Sequence, residues 1–436
     1  MKLNPYPKYK DSGIQWIGEI PEGWEVRKIS SFGFFSSSGI DKKTEPDESL
    51  VKMVNYTDIY GNDSLVIDSK RELMTVSCPM EKIISCNLKR GDIVFTPSSE
   101  TEEDIGLSAV ILENLKNTVF SYHVIRFRPI IEIKLLYKKY IGNNHFVLSQ
   151  FSRMCKGTTR QILTHNDFKG ILTILPPIED QTAIANFLDK KTAKMDKLIE
   201  KDKKLIALLK EKRTALINHA VTKGLDPNVK LKDSGIEWIG KIPEGWEVHR
   251  LKFKETVIMG QSPDSESYNY EYKGYPFLQG NAEFSDVHPN PSIWCDVANK
   301  YALRNDVLLS VRAPVGAINI ADQKYGIGRG LCAIRVKINN LKYIFYQLLT
   351  CVDYLNSIGT GSTYTAISTE DIMNLPMRYP PLPDQTAIAN YLDKATSKID
   401  KTIKLIEKKI ALLEEYKKSL IHHVVTGKVD VRGVEA

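Results

Sequence analysis

The sequence predicts an α+β protein built twice over: two α/β domains separated by an antiparallel coiled coil of two long helices, with an internal pseudo-twofold repeat. Three observations predict it. "DSGIQWIGEIPEGWEVRKI" (Asp11–Ile29) returns as "DSGIEWIGKIPEGWEVHRL" (Asp233–Leu251), identical at fourteen of nineteen positions. Asp180–Thr222 aligns without gaps to Asp384–Thr426, "DQTAIANFLDKK…" against "DQTAIANYLDKA…". Between these repeats lie two unlike stretches, roughly Ser30–Leu175 and Lys252–Arg378. A period near 200 residues makes the repeating unit a domain rather than a solenoid turn.

The repeated opening segment comes first in each half. Its Trp16, Pro21 and Trp24, with Trp238, Pro243 and Trp246 in the second copy, are expected to form a buried, fixed entrance to each domain. The unlike stretches follow, and both read as short strands plus a helix. In the first, "LVKMVNYTDIYG", "GDIVFT", "LSAVIL" and "YHVIRFRPI" are strand-like, and "LYKKYIGNNHFVLSQF" is helical. In the second, "YPFLQGNAEF", "NDVLLSVR" and "GAINIA" are strand-like, and "LKYIFYQLLTCVDYLNSIG" is helical. Each closes on a Gly/Thr/Ser-rich turn before a short helix, a composition suited to phosphate or base-edge contacts.

The second repeated segments are long helices. Leu392, Thr396, Ile399, Ile403, Ile406, Ile410, Leu413, Lys417, Leu420 and Val424 alternate steps of four and three, a coiled-coil seam over more than four heptads. Leu188, Met195, Ile199, Ile206, Leu209 and Leu216 keep the rhythm in the first copy, with polar Asp202 inside it. Each helix follows a Pro-Pro pair, so Asp180 and Asp384 are the expected N-caps, and Gly224 and Gly427 mark the ends. Some forty residues at helical rise make a rod of about 60 Å. Two helices of equal length and rhythm in one chain are expected to pair with each other, antiparallel, with the domains at opposite ends.

Composition excludes several classes. The chain has 436 residues, 26% charged and 42% hydrophobic, the profile of a folded globular protein. A net charge of +7 permits an anionic partner but is short of a free-standing DNA binder's basic footprint. The N-terminus lacks the apolar core of a signal peptide, and no apolar run is long enough to span a membrane. Six scattered cysteines without a C-x-x-C pair read as buried thiols of a cytoplasmic protein.

Two "GWEV" segments, two "PPxxxQxxIAxxLD" helix starts and two dissimilar blocks resemble the specificity subunit of type I restriction-modification systems, over essentially the whole chain. The resemblance implies target-recognition domains at 1–178 and 233–382, spacer helices at 179–223 and 383–427, a linker at 224–232 and a tail at 428–436. It further implies that each domain reads one half of a bipartite double-stranded DNA site. The helices then space the halves and dock two methyltransferase subunits, with restriction/translocase subunits in the larger complex. S-adenosylmethionine, ATP and Mg belong to those partners, and no cofactor or metal is expected in this chain. A stand-alone DNA-binding scaffold or decoy is the alternative.

The residues agree that no catalysis is expected here. A base-flipping adenine methyltransferase needs a D/N-P-P-Y/F turn, and "NPYP" (Asn4–Pro7) lacks the second proline. Pro263, Asp264, Glu271 and Lys273 imitate a nuclease motif, but their spacing is tight and their surroundings are loop-like. No phosphate-binding G-x-x-x-x-G-K-[ST] loop occurs. His219, His422 and His423 lie near helix C-termini, where their role is to complement the dipole.

Candidate DNA contacts come from side-chain type and turn placement. In the second block "SVRAPVG" presents Ser310 and Arg312, arginine being the usual bidentate reader of guanine. The equivalent place in the first is the acidic "TPSSETEEDIG", from which Ser98, Ser99 and Thr101 are the candidates. Lys156, Thr158, Thr159, Arg160 and Gln161 are added in the first block, and Ser362, Thr363 and Tyr364 in the second. Gln261, Gln279 and Asn281 are candidate adenine readers.

Overall fold

The computed structural model of the protein describes residues 4–359 and 366–434. The chain divides into two compact units, the first reaching to Asp202 and resuming at Lys408, the second running Lys203–Glu407.

Within unit 1 a five-stranded sheet runs in the order Gly33–Ser37, Ile125–Pro129, Ile93–Phe95, Ser108–Ile111, Val66–Ile67. Within unit 2 the strands Thr256–Met259, Leu331–Arg335, Val307–Ser310 and Ile318–Ile320 follow the same order, all antiparallel. A second sheet in unit 1 places Ser49–Val54 between Thr118–Phe120 (parallel) and Met74–Cys78 (antiparallel). Its counterpart in unit 2 places Tyr275–Leu278 between Tyr325–Ile327 (parallel) and Ile293–Cys295 (antiparallel). The two blocks share a topology that their sequences conceal, because a half-buried pleat asks only for apolar alternation and not for particular residues.

One ion pair is common to both. Asp92, 1% exposed, takes the Arg128 guanidinium bidentately at 2.7 and 2.6 Å, and Asp306, 2% exposed, takes Arg335 at 3.0 and 2.7 Å. Each aspartate follows a residue at positive φ, Gly91 or Asn305, and also accepts a backbone N–H at 2.8 Å. "RGDIV" and "RNDVL" are the matching sequence signals, paired with arginines about thirty residues on.

The repeated segments clasp each unit. Glu25–Lys28 pairs with Leu172–Leu175, and Glu247–Arg250 with Pro376–Tyr379, so the opening segment is stitched to the end of its own block. Trp24 is fully buried and Trp246 nearly so. Trp16, expected to be buried, is 50% exposed and stacks on Phe146 at 4.9 Å; Trp238 is half-buried and stacks on Tyr354 at 4.4 Å. Each lies in the loop between two short strands, and Trp238 also has the Arg378 guanidinium over its ring, 5.7 Å from the centroid.

The long helices run Ile178–Lys223 and Leu382–Val425. Their first internal bonds go from Gln181 and Gln385 N–H to the carbonyls of Pro177 and Pro381, so the helices begin before the aspartates and neither Asp180 nor Asp384 is an N-cap. Asp180 instead accepts the Trp24 indole N–H at 2.8 Å. The glutamine beside it explains the repeated "PPxxxQ". Gln181 is buried, donates to Pro176 O and accepts the N–H of Lys134. Gln385 is buried, donates to Pro380 O and to Asn339 Oδ1, and accepts the N–H of Asn340. Gly224 and Gly427 take positive φ at the helix ends, the glycine C-terminal signal.

Within unit 1 the helices run antiparallel, since Asp196 pairs with Lys417 and Asp202 with Lys409. Within unit 2 Arg213 pairs with Asp400 at 2.9 Å. Leu392, Thr396, Ile399, Ile403, Ile410, Leu420 and Val424 are buried as the heptad predicts. Asp202 is buried in the seam and its carboxylate reaches Lys409 at 2.8 Å. The core of unit 1 joins Trp24, Ile29, Ile184 and Leu188 to Leu420, Ile421, Val424, Val425 and Val431. There Asp430 N–H donates to Asn4 O and Tyr9 Oη to Gly427 O. In unit 2 the corresponding core takes Ile217, Ala220 and Val221 from the first long helix.

Candidate nucleic-acid interface

In unit 2 four loops are laced by backbone hydrogen bonds. Gly330 N–H donates to Gln279 O, Val311 N–H to Gly330 O, and Ile367 N–H to Val311 O, while Arg312 bridges Ala366. A Cβ on Gly330 would lie 2.6 Å from Gln279 O, so this close approach requires glycine. The ladder brings Gln279, Asn281, Glu283, Arg312 and Arg329 around one open recess of about 400 Å³. Gln279, Asn281 and Arg312 were candidates from sequence; Arg329 and Glu283 were not. The signal available for Arg329 was its place in "GIGRGL", a glycine-rich turn with one arginine.

Three further candidates fall elsewhere. Ser310 is buried, donates to Pro314 O at 2.7 Å and accepts from Ala317 N–H, so its hydroxyl closes the turn and is not a surface contact. Gln261 is exposed on the neighbouring strand end, its N–H held by Ile327 O, and does not line the recess. Ser362, Thr363 and Tyr364 lie outside the described residues.

In unit 1 the equivalent loop is fixed the same way, with Leu163 N–H on Pro97 O, so Ser98 stands where Arg312 stands in unit 2. Ser98–Ser99 pairs with Gln161–Ile162. Ser98 and Ser99 are both buried, correcting their expected exposure: Ser98 Oγ accepts Arg160 Nε–H at 3.2 Å, and Ser99 Oγ accepts Thr101 N–H. Arg160 also covers the Tyr56 ring, 5.7 Å from its centroid. Thus arginine reaches this position from the opposite strand. Lys156 and Ile162 exchange backbone bonds, and the loop between them turns on Gly157, whose Cβ would lie 2.0 Å from Arg160 O.

Lys156, Thr158, Thr159 and Arg160 are exposed on that loop, whereas Gln161 turns its amide inward to Gly157 O. Thr101 donates to Asp104 across the acidic loop. A recess of about 340 Å³ beside the loop is lined by Ser98, Tyr122, His123, Arg160 and His165 among others. Burial, and then the nearby Arg160 guanidinium, push the His123 imidazole below its ordinary value, so it is neutral at pH 7.

Among the described residues no cluster of His, Cys, Asp or Glu is placed to hold a metal ion, and no helix is long and apolar enough to cross a membrane. Glu271 and Lys273 pair with each other on an exposed turn. The six thiols are free, five of them buried.

Two units of one topology, each with a recess at the same loop and a half of a repeated helix pair, define a duplicated recognition protein. The profile of the type I restriction modification DNA specificity domain matches residues 21–208 and 243–415. A putative type I restriction enzyme MjaX specificity subunit from Methanocaldococcus jannaschii is 33% identical over 423 residues, covering 95% of this chain and 96% of that one. The MjaVIII specificity subunit of the same organism is 28% identical over 303 residues, 64% of this chain and 67% of the other. A solved chain from work on complex assembly and conformational transition of the type I R-M system superposes with a TM-score of 0.69 at 25% identity, covering 94% and 99% of the two chains. The HsdS subunit from Thermoanaerobacter tengcongensis shares the fold at a TM-score of 0.55 and 24% identity over 94% of this chain and 98% of that. The chain belongs to the type I restriction-modification DNA specificity family, and its role is DNA recognition.

Proposed function

We propose that this chain reads a bipartite double-stranded DNA site, one half per unit, and guides enzymes carried on other chains. The observation that carries it is one loop architecture furnished with two chemistries: Ser98 backed by Arg160 in unit 1, and Arg312 beside Arg329 in unit 2. Equal topology with unequal side chains is what two different half-sites require. One module reading about 3–5 base pairs at ~1–3 kcal/mol per mismatch is too permissive to mark a genome. Two on a helical spacer multiply their selectivities.

The helices also offer docking surface. In unit 1 Leu198, Leu412 and Tyr416 are exposed off the seam, and in unit 2 Leu205, Leu208 and Leu405 are. Leu382 and Tyr391 are exposed on the second long helix in unit 2, so each unit presents large apolar side chains off the seam, which fits one partner copy per half. Those partners are two methyltransferase subunits, with restriction subunits beyond, and S-adenosylmethionine, ATP and Mg are theirs. Mapping methylated adenines in cells expressing this chain with its methyltransferase tests the reading. A two-part motif with a fixed gap is expected; exchanging Ser30–Leu175 should alter one half only, and a seven-residue insertion in the first long helix should alter the gap only. No methylation change on deleting the chain, or binding to DNA with no methyltransferase co-purifying, points to a stand-alone scaffold instead.

A further inference from the structure

In unit 2 Asp306 is closed on Arg335 by two hydrogen bonds. The charged groups around the recess are not paired in this way among the described residues. Glu283 lines the recess with Oε2 sealed from solvent and without a hydrogen-bond partner among the described residues. Burial raises its carboxyl above the ordinary value, with no arginine or lysine acting to lower it. Arg312 and Arg329 line the same recess, both exposed, and neither makes an ion pair among the described residues. A carboxylate half withdrawn from water and two open guanidiniums therefore line one recess. An unpaired acceptor and unpaired donors on one recess suit a ligand edge that offers both a donor and acceptors.

The major-groove edge of a G·C pair presents N7 and O6 as acceptors on guanine and the N4 amine as a donor on cytosine. A guanidinium and a carboxylate lining one recess supply the complements of both edges. At an A·T pair the same carboxylate would face thymine O4, acceptor against acceptor, next to the C5 methyl. Arg312 suits the guanine side because its backbone is held on both flanks, by Gly330 and by Ala366 and Ile367, which lowers the entropy lost on contact.

Resting on the reading of unit 2 as one half-site reader, we propose that its half-site contains a G·C pair, with Arg312 bonding guanine and Glu283 accepting the cytosine N4 amine. Glu283 is then a specificity-determining residue.

The test uses the intact methyltransferase complex assembled on the full chain. Genome-wide adenine methylation is mapped for wild type, Glu283→Gln and Glu283→Ala, and the half-site belonging to unit 2 is identified by exchanging Lys252–Arg378. The wild-type motif is expected to hold a G·C pair in that half. Both variants should lose about ten- to a hundredfold of the discrimination against A·T at that pair, leaving the other half-site and the gap unchanged. Discrimination retained at the other base pairs of the unit 2 half-site shows that unit 2 of each variant folds. A unit 2 half-site without a G·C pair, or full discrimination retained in Glu283→Ala, overturns the assignment while leaving the two-reader account intact. A wild-type map with no two-part motif overturns both.

Discussion

Gln385 bears the strongest stability prediction. It is 2% exposed and spends its whole amide on three bonds of 2.9 Å: from Asn340 N–H, to Asn339 Oδ1 and to Pro380 O. Gln385→Leu keeps the volume and removes all three. Asn340 caps the Leu341–Leu349 helix, so its N–H would lose its partner at the point where that helix begins. At about 1 kcal/mol per net bond, with further cost for the buried Pro380 carbonyl, the loss is about 3–5 kcal/mol. Gln181 in unit 1 makes two such bonds, so Gln181→Leu should cost less, about 2–3 kcal/mol. Two units need not unfold together, so the assay is urea-dependent hydrogen exchange read separately in 341–349 and 138–154. Each variant should lower protection in its own unit. A loss below 1 kcal/mol in Gln385→Leu, or equal losses in the two variants, would refute this account of the repeated glutamine.

Asp306→Ala should destabilise unit 2 by about 3–5 kcal/mol, because Arg335 is left half-buried without its bidentate partner; thermal melting with near-UV dichroism reports it. His422, held down to about 4 by burial and by nearby His145, His423 and Lys428, takes up its proton in the unfolded chain first. Stability present above pH 6.5 is therefore lost as pH falls from 6.5 toward 4, by about 1–2 kcal/mol once its partial exposure is discounted, and His422→Gln should flatten that slope in pH-dependent exchange. Gly157→Ala forces a Cβ onto Arg160 O and should degrade discrimination in the first half-site alone, seen in the methylation map. Asp202→Leu replaces a buried carboxylate in the seam, paired to a half-exposed lysine, with an apolar contact and should stabilise the helix pair by up to about 1 kcal/mol, read as a rise in its urea midpoint. A fall would mean that Lys409 depends on Asp202.

What the sequence disclosed follows the range of the signal. The helix seam was legible because residues three and four apart share a face, and Ile399, Ile403 and Ile410 are buried as that spacing requires. Arg312, Gln279 and Asn281 were legible by chemical type, although their meeting depends on loops far apart in the chain. Glu283 was not, because nothing near it in sequence announces the ladder that draws the loops together, and Arg329 was marked only by the glycines on either side of it. The same distance hid the partner of Asp180: an aspartate after Pro-Pro looks like a cap until Trp24 arrives, 156 residues away, to claim it. Ser98 and Ser99 looked exposed for want of knowing that Gln161–Ile162 lies across them.

The closing of unit 1 on residues from both ends has a consequence for how the protein is made. Its sheets are translated first, yet its core waits for Leu420, Val424, Val425 and Val431, and Asp430 must reach Asn4. Unit 2, Lys203–Glu407, has all its residues out of the ribosome before that. The half begun first is finished last, so the core around Trp24 and Leu188 is incomplete until residues 420–431 are made. Chaperone capture and misassembly are to be sought on that half.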